Sequence, residues 1–230
     1  MITISICILI ILLLIIVTSI NVRKRHYTNL NKTHINKICD LADTGDIIYF
    51  RWSNVDILHE IVSPFTHIGL VLIDPYTKYK YIIETHLKGD GEDLGILDEG
   101  IQKYNLKDRL QTYKGFTYLS KLKNKYKPSL EKVIKFITNF KKFKKNIPFH
   151  GDYSNYFKMN CIKYKLCNDC FTIEEKDGLF CSEFVGFCLK ELEIVNNAFD
   201  YKCMTPGDFM HSIDNDKNLL YDEKLLQVYK

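Results

Sequence analysis

An uninterrupted apolar run at the start of the chain limits the fold more than any other sequence feature. Residues 2–20 are all Ile, Leu, Val, Cys, Thr or Ser. At about 1.5 Å per residue, a helix of this length matches the thickness of a bilayer core. A cleaved signal peptide would need a basic start and a small-residue cleavage site, and neither is present before Asn21. We therefore predict a transmembrane anchor over residues 1–22.

Basic residues directly after the predicted anchor indicate its orientation. Arg23, Lys24 and Arg25 follow the span and no basic residue precedes it, and positive flanks stay on the cytoplasmic side. We predict a single-pass membrane protein with a linker over residues 23–43 and a cytosolic domain after it. In that reducing compartment the eight cysteines are expected to be thiols or metal ligands and not disulfides.

The remaining residues, 44–230, are long enough to form one domain with a sizeable core. The chain has 46% hydrophobic and 26% charged residues, as is usual for globular proteins. Its net charge is only +4, and the basic run of Lys141, Lys142, Lys144 and Lys145 is typical of a solvated helix face. We therefore predict no nucleic-acid partner.

Short runs of β-branched residues bounded by turn residues predict the strands. Asp74 and Pro75 end one such run, and they predict a hairpin turn over residues 74–78. In this hairpin, residues near 67 and 84 would lie across from each other at the open end. Strands are predicted over residues 47–50, 67–73, 79–84 and 117–120.

Apolar residues at helical spacing predict the helices. Residues 204–209 predict a turn that leads into a further short helix or strand. Together with the strands, these elements predict an α+β fold class. Helices are predicted over residues 99–110, 128–140 and 181–192.

Cys181 is a candidate nucleophile because it begins the last of these helices, directly after Leu179 and Phe180. Unpaired backbone amides and the helix dipole favour an anion at that position, so the thiolate should be stabilised. The thiolate is the reactive form of cysteine, and the same amides could hold an oxyanion. The alternative is a buried small hydrophobic residue, which is the interpretation we give to Cys188.

A cysteine nucleophile needs a base, and His67 is the best candidate because it opens a predicted strand at the sheet edge. Gly69, two residues later, keeps the same face of the sheet uncrowded. Glu84 on the neighbouring strand could orient the imidazole and fix its tautomer. His86 is near enough to Glu84 to be the main rival for the base.

Five short motifs follow one another along the chain: Gly45-Asp46, Thr66-His67-Ile68-Gly69, Ile82-Ile83-Glu84, Phe180-Cys181-Ser182-Glu183 and Met204-Thr205-Pro206-Gly207-Asp208. Their content and order resemble the circularly permuted papain-like hydrolases of the NlpC type, a family with YiiX-like bacterial members and poxvirus members. The resemblance implies a permuted papain-like fold in which an antiparallel sheet packs against the nucleophile helix. It also implies Cys181 as nucleophile, His67 as general base and then acid, and Glu84 as the orienting acid.

The segment before Cys181 departs from the family pattern, and residues 150–175 resemble a Cys-rich insertion. Within it, Tyr153 looks like an aromatic residue that lines the cleft in relatives. We predict Tyr153 and Ser182 as substrate-binding residues.

The same insertion raises the question of a zinc site. A single CxxC without a second pair is weak evidence for zinc, so no metal is predicted, and the chemistry needs no cofactor. The residues considered for such a site are Cys161, Cys167, Cys170, His150 and Cys203.

The sequence therefore predicts a membrane-anchored cysteine hydrolase that cleaves amide or ester bonds with a triad of Cys181, His67 and Glu84. The resemblance implies peptide, isopeptide or acyl-lipid substrates, and the anchor would place the site near membrane-surface substrates. Two alternatives stay open. One is an acyltransferase on the same triad, and the other is a non-catalytic, membrane-tethered binding module.

Overall fold

One sheet of seven strands organises the computed structural model. The structure describes residues 32–53, 63–86, 100–146, 179–202, 204–211, 219–222 and 224–230, with the single residues 14, 17, 18 and 30. The strands are β1 Lys32–His34, β2 Ile47–Arg51, β3 His67–Ile73, β4 Lys80–His86, β5 Gly100–Asn105, β6 Phe116–Ser120 and β7 Leu226–Tyr229. Their order in the sheet is β1-β7-β6-β2-β3-β4-β5.

Helices accompany the sheet on both faces and confirm the predicted α+β class. Within the described residues the α-helices are α1 Ile35–Leu41, α2 Leu106–Thr112, α3 Leu130–Asn146 and α4 Cys181–Glu191. Short 3-10 helices cover Asn124–Tyr126 and Pro206–His211. The second of these follows the turn that the sequence predicted near residue 204.

The sheet is mixed, which corrects the expectation of an antiparallel sheet. Strand β1 pairs in parallel with β7, whereas the other neighbouring pairs are antiparallel. The parallel pair joins strands from opposite ends of the domain, a pairing that local hydrophobic patterns do not reveal. The central strands that carry the site, β2, β3 and β4, are antiparallel as predicted.

Alternation of side chains along the strands divides the buried residues between two cores. One core lies between the sheet and helices α3 and α4, and we call this side the α4 face. The other lies between the sheet and helices α1 and α2, and we call it the α2 face. The α4 face includes Ile47, Tyr49, Ile68, Leu70, Ile83, Phe136, Phe184, Val185 and Leu189. The α2 face includes Ile38, Ile48, Phe50, Val71, Ile82, Leu106 and Leu110.

The predicted strands are confirmed to within two residues, but the predicted helix over residues 99–110 is wrong in its first half. That half is strand β5, which pairs with β4 along its whole length. Asn105 then ends the strand and caps α2, because its Oδ1 accepts hydrogen bonds from the backbone N–H groups of Lys107 (3.0 Å) and Asp108 (3.2 Å). Pairing with β4 is a non-local interaction that outweighs the local helical pattern.

The folded domain begins earlier than the predicted boundary at residue 44. Part of the predicted linker, 23–43, forms β1 and α1. Ile35, Ile38 and Ala42 are buried on the α2 face. Residues 32–43 therefore belong to the domain.

Several sequence predictions lie outside the described residues. They are Tyr153, the insertion 150–175 with its cysteines, and the anchor 1–22 apart from residues 14, 17 and 18. Within the described part of the chain, no helix is both long and apolar enough to cross a membrane.

Candidate active site

The hairpin of β3 and β4 brings His67 and Glu84 together. Leu70 pairs with Ile83, and the same register continued toward the open end places His67 diagonally across from Glu84. His67 Nε2 and Glu84 Oε2 are 2.8 Å apart, which is hydrogen-bond distance. Both side chains point to the α2 face, where His67 also contacts the ring of Phe50 at a centroid distance of 5.3 Å.

The turn at the closed end of the hairpin fixes this register. Asp74 Oδ1 accepts hydrogen bonds from the backbone N–H groups of Tyr76 (2.9 Å) and Thr77 (3.1 Å). Such Asx turns favour a tight reversal of the chain. A slip of one residue between β3 and β4 would turn Glu84 to the face opposite His67.

Gly69 lies close against the side chains of Ile82 and Glu84 on the neighbouring strand. A Cβ at this position would lie 2.6 Å from Cδ1 of Ile82 and 3.3 Å from Cβ of Glu84. The first distance is shorter than any normal contact between carbon atoms. The sequence expectation that Gly69 keeps this face uncrowded agrees with these distances.

Arg109 on α2 also bonds the carboxylate of Glu84. Its Nε donates to Oε1 at 2.5 Å and its Nη2 donates to Oε2 at 3.3 Å. Burial would raise the pKa of Glu84, but the charge of Arg109, followed by the two neighbouring histidines, holds that pKa well below its usual range. Glu84 is therefore an ionised carboxylate, and it is fully buried.

His67 is a neutral imidazole near pH 7. Burial lowers its pKa from 6.5 to about 4, and the charges of His86 and Arg109 act in the same direction, while Glu84 opposes them. Because an ionised carboxylate can only accept hydrogen bonds, the proton of the neutral ring lies on Nε2. The lone pair of Nδ1 is then left to accept a proton.

His86, the rival for the base, lies beside His67 but deeper in the structure. The two rings stack at a centroid distance of 4.7 Å. His86 is only 2% exposed, whereas the side chain of His67 is 16% exposed. Nε2 of His86 is 3.3 Å from Glu84 Oε1 without the alignment of a hydrogen bond. Of the two histidines, His67 is the one that borders solvent.

The two histidines and Glu84 are also the one group in the described part of the chain with the spacing of a metal site. Their ligand atoms all lie within 4.8 Å of one another, and two imidazoles with a carboxylate are a set that zinc accepts. However, Arg109 already bonds both oxygens of Glu84 and would repel a dication. The charge balance therefore argues against a metal at this position.

Cys181 is the first residue of α4 and is partly exposed. Its helix begins after Phe180, whose ring cannot accept a hydrogen bond, and Glu183 Oε2 accepts the backbone N–H of Phe180 at 3.1 Å. Cys188, two turns later, is fully buried, and burial raises the pKa of its thiol well above the usual value. The two cysteines of α4 therefore differ as the sequence predicted, with Cys188 in the core.

Helix α4 and the side chain of His67 lie on opposite faces of the sheet. The residues Phe184, Val185 and Leu189 pack into the α4 face, whereas His67 points to the α2 face. The structure thus brings His67 and Glu84 together, but it places the helix of Cys181 behind the strand that His67 opens. The sequence did not predict this separation.

The residues that follow α4 lie near the part of the sheet that includes Val71. Gly45 N donates to Val71 O at 3.0 Å, and a Cβ on Gly45 would lie 2.9 Å from Cδ1 of Ile194. The 11 residues of α4 span about 16 Å. The distance along β3 from Val71 back to His67 is about 13 Å. An α4 that runs back along β3 would bring Cys181 to the end of the sheet where His67 lies.

Ser182 does not have the exposure expected of a substrate-binding residue. Its side chain is 1% exposed, and its hydroxyl has no hydrogen-bond partner among the described residues. This burial does not fit the predicted role.

The motif at residues 204–208 supports the segment that leads into β3. Gly207 N donates to Ser63 Oγ at 3.0 Å, and the same oxygen accepts from Phe65 N at 3.2 Å. A Cβ on Gly207 would lie 2.9 Å from Cδ of Pro64. This close approach explains a glycine here and fixes the chain just before His67.

Arg109 is the site residue that the sequence analysis missed. Its signal was an arginine on the apolar side of a short helix, between Leu106 and Leu110 at positions i, i+3 and i+4. A long charged side chain among core residues indicates a buried partner of opposite charge. The error over residues 99–110 obscured this pattern.

Comparisons with known proteins add no family to this description. No protein-family model matches the chain, and no curated protein matches it. The resemblance to the NlpC type therefore rests on the motifs of the chain itself.

Proposed function

We propose that the protein is a membrane-anchored thiol hydrolase with a permuted papain-like fold, in which Cys181 is the nucleophile and His67 the base. The observation that carries the proposal is the hydrogen bond between His67 Nε2 and Glu84. It supports a neutral imidazole whose Nδ1 accepts a proton, as nucleophilic catalysis requires. A histidine buried only for packing would need no ionised carboxylate fixed by a second charge.

The reaction follows from these proton positions. Nδ1 of His67 takes the proton of the Cys181 thiol as sulfur bonds to the carbonyl carbon of an amide or ester. The tetrahedral intermediate collapses, the bond to nitrogen or oxygen breaks, and His67 gives its proton to the leaving group. His67 then takes a proton from the water that attacks the thioester, and it returns that proton to the sulfur of Cys181 as the bond between sulfur and carbon breaks and the acid is released. Glu84 stabilises the imidazolium in both steps.

The first turn of α4 favours the developing negative charge. The helix macrodipole and the N-terminal amides attract both the thiolate and the oxyanion of the tetrahedral intermediate. The reaction uses no cofactor. Substrates are amides or esters such as peptides, isopeptides or acyl lipids, with the catalytic domain on the cytosolic side of the membrane.

The proposal requires the thiol of Cys181 to reach Nδ1 of His67 around the end of the sheet where β3 begins. Because α4 packs on the face of the sheet opposite the His67 side chain, the proposed function depends on this approach. The same feature favours the second candidate, a membrane-tethered binding module in which His67 and Cys181 never meet.

A short bifunctional alkylating reagent distinguishes the two candidates. We expect 1,3-dibromoacetone to crosslink Cys181 to His67 within one chain, and mass spectrometry of the digest would identify the bridged peptides. Cys181→Ala and His67→Ala should each abolish the crosslink, and Cys188→Ala is the matched control that should keep it. Alkylation of Cys181 with no bridge to His67 would support the binding module.

Activity is tested with a panel of amide, ester and acyl-lipid substrates. The wild-type chain should cleave at least one class, while Cys181→Ala should lose the activity and Cys188→Ala should retain it. Transfer of the acyl group to an added amine or lipid in preference to water would identify an acyltransferase. Equal turnover by wild type and Cys181→Ala would exclude the proposed nucleophile.

A further inference from the structure

The charges beneath His67 balance without any contribution from His67 itself. Glu84 carries one negative charge and Arg109 one positive charge, and both side chains are buried. Phe50 and Tyr113 cover the guanidinium, whose carbon lies 4.4 Å and 5.5 Å from the centres of their rings. This apolar cover excludes water and strengthens the electrostatic interaction.

The geometry of Arg109 also restricts the carboxylate. Two nitrogens of one planar guanidinium bond the two oxygens of Glu84, which fixes the plane of the carboxylate as well as its charge. Oε2 of Glu84 is thereby held where it accepts the Nε2 proton of His67. A lysine could supply the charge but not the two-point contact.

We propose that Arg109 is a positioning residue, the built-in counter-ion of Glu84, which fixes the Nε2–H tautomer of His67 and leaves that imidazole uncharged. Without Arg109 the buried carboxylate would have no permanent cation, so the protonated form of His67 would be stabilised relative to the neutral form. A protonated His67 cannot act as a base. The importance of this role for catalysis rests on the proposed function, whereas the state of His67 can be measured without it.

Several titratable or charged groups lie near His67, so the variants must separate the effect of Arg109 from the effects of the others. Glu84 and His86 approach it from β4 and Arg109 from α2, whereas Cys181 begins α4 on the opposite face of the sheet. Arg109→Met removes the cation and keeps the length of the side chain. Arg109→Lys keeps the cation and removes the second contact. Lys107→Met is the matched control, because this lysine is exposed on the same helix.

The measurement is the nitrogen-15 spectrum of the histidines in the full-length chain in detergent, with His67→Gln used to assign the signal. In wild type and in Lys107→Met we expect a neutral His67 with its proton on Nε2 at pH 7. In Arg109→Met we expect the midpoint of the His67 titration to rise by about one pH unit or more above its wild-type value of about 4. Arg109→Lys should keep the ring neutral, but the proton should no longer lie on Nε2 alone.

A second variant keeps the test decisive if Arg109→Met does not fold. The pair Arg109→Met with Glu84→Gln removes both charges, so the midpoint of the His67 titration should return toward its wild-type value. An unchanged His67 midpoint in folded Arg109→Met would overturn the proposal, and so would a raised midpoint in the double variant. If wild type cleaves no substrate, the proposed function fails while this experiment still decides the role of Arg109.

Where wild type is active, the acidic limb of kcat/KM supplies the catalytic readout. We expect this limb to move to higher pH in Arg109→Met, in step with the His67 titration. A lower maximal kcat/KM with an acidic limb at the wild-type pH would show that Arg109 is merely structural.

Discussion

The imidazole of His86 stacks on that of His67 with 4.7 Å between ring centroids, and both rings approach the same buried carboxylate. His67 bonds Glu84 at 2.8 Å, whereas His86 lies 3.3 Å from the other oxygen without a hydrogen bond. The two histidines thus have similar surroundings but different access to solvent. That difference assigns them different roles.

Substitution should separate these roles. His67→Gln removes the proton acceptor, and we expect it to lower kcat/KM by roughly 10²–10⁴-fold, the usual contribution of a general base. His86→Phe keeps an aromatic ring against His67 and should leave kcat/KM within about tenfold of wild type, since the His86 side chain is only 2% exposed. Steady-state kinetics on a cleaved ester would check both values. A larger loss of kcat/KM in His86→Phe than in His67→Gln would identify His86 as the base.

The free energy of unfolding should fall as the pH drops from about 6.5 to about 4. In the unfolded chain His67 has its ordinary pKa of 6.5, whereas in the folded chain that pKa is about 4. Between these values the unfolded state binds more protons, so acid favours unfolding. Below pH 4.5 the low pKa of Glu84 adds a loss of the same sign.

Urea titrations at pH 7, 6, 5 and 4 would measure this dependence. The matched variant is His67→Gln, which removes the titrating ring, so its stability should change less with pH in this interval. Identical slopes for wild type and His67→Gln would contradict a neutral, buried His67.

Much of the site was accessible from the sequence because its signals are local. The β-branched run before Asp74-Pro75 predicted the hairpin, and the hairpin alone brings His67 near Glu84. Strand β5 was missed because only its pairing with β4 makes residues 100–105 extended. The sequence therefore predicted the elements set by local interactions, and it missed the strand that is set by pairing with another segment.

The position of α4 was also beyond the sequence pattern. An amphipathic helix shows which of its sides is buried, but it does not show which face of a sheet it covers. Both faces here are apolar, with Ile68 on one and Val71 on the other. The relation between Cys181 and His67 therefore depends on tertiary packing alone.

Gly69→Ala should destabilise the fold and displace Glu84 from His67. The new methyl group would meet Ile82 Cδ1 at 2.6 Å, and overpacking of this kind typically costs about 1–3 kcal/mol. Chemical denaturation would measure the loss. Ile82→Ala removes the atoms that clash, so a double-mutant cycle should show that Ile82→Ala costs less in the Gly69→Ala background than in wild type. Additive effects would mean that the two positions do not compete for space.

The cysteines within the described part of the chain should differ in reactivity. Cys181 is partly exposed at a helix start, where the helix dipole favours the thiolate. Burial raises the pKa of Cys39 and raises that of Cys188 much further. We expect iodoacetamide at pH 7 to label Cys181 first, Cys39 more slowly and Cys188 only on unfolding. Peptide mass spectrometry over a time course would give the order, with Cys181→Ser as the control for the fast site. Slow labelling of Cys181, at the rate of Cys39, would remove the basis for assigning it as the nucleophile.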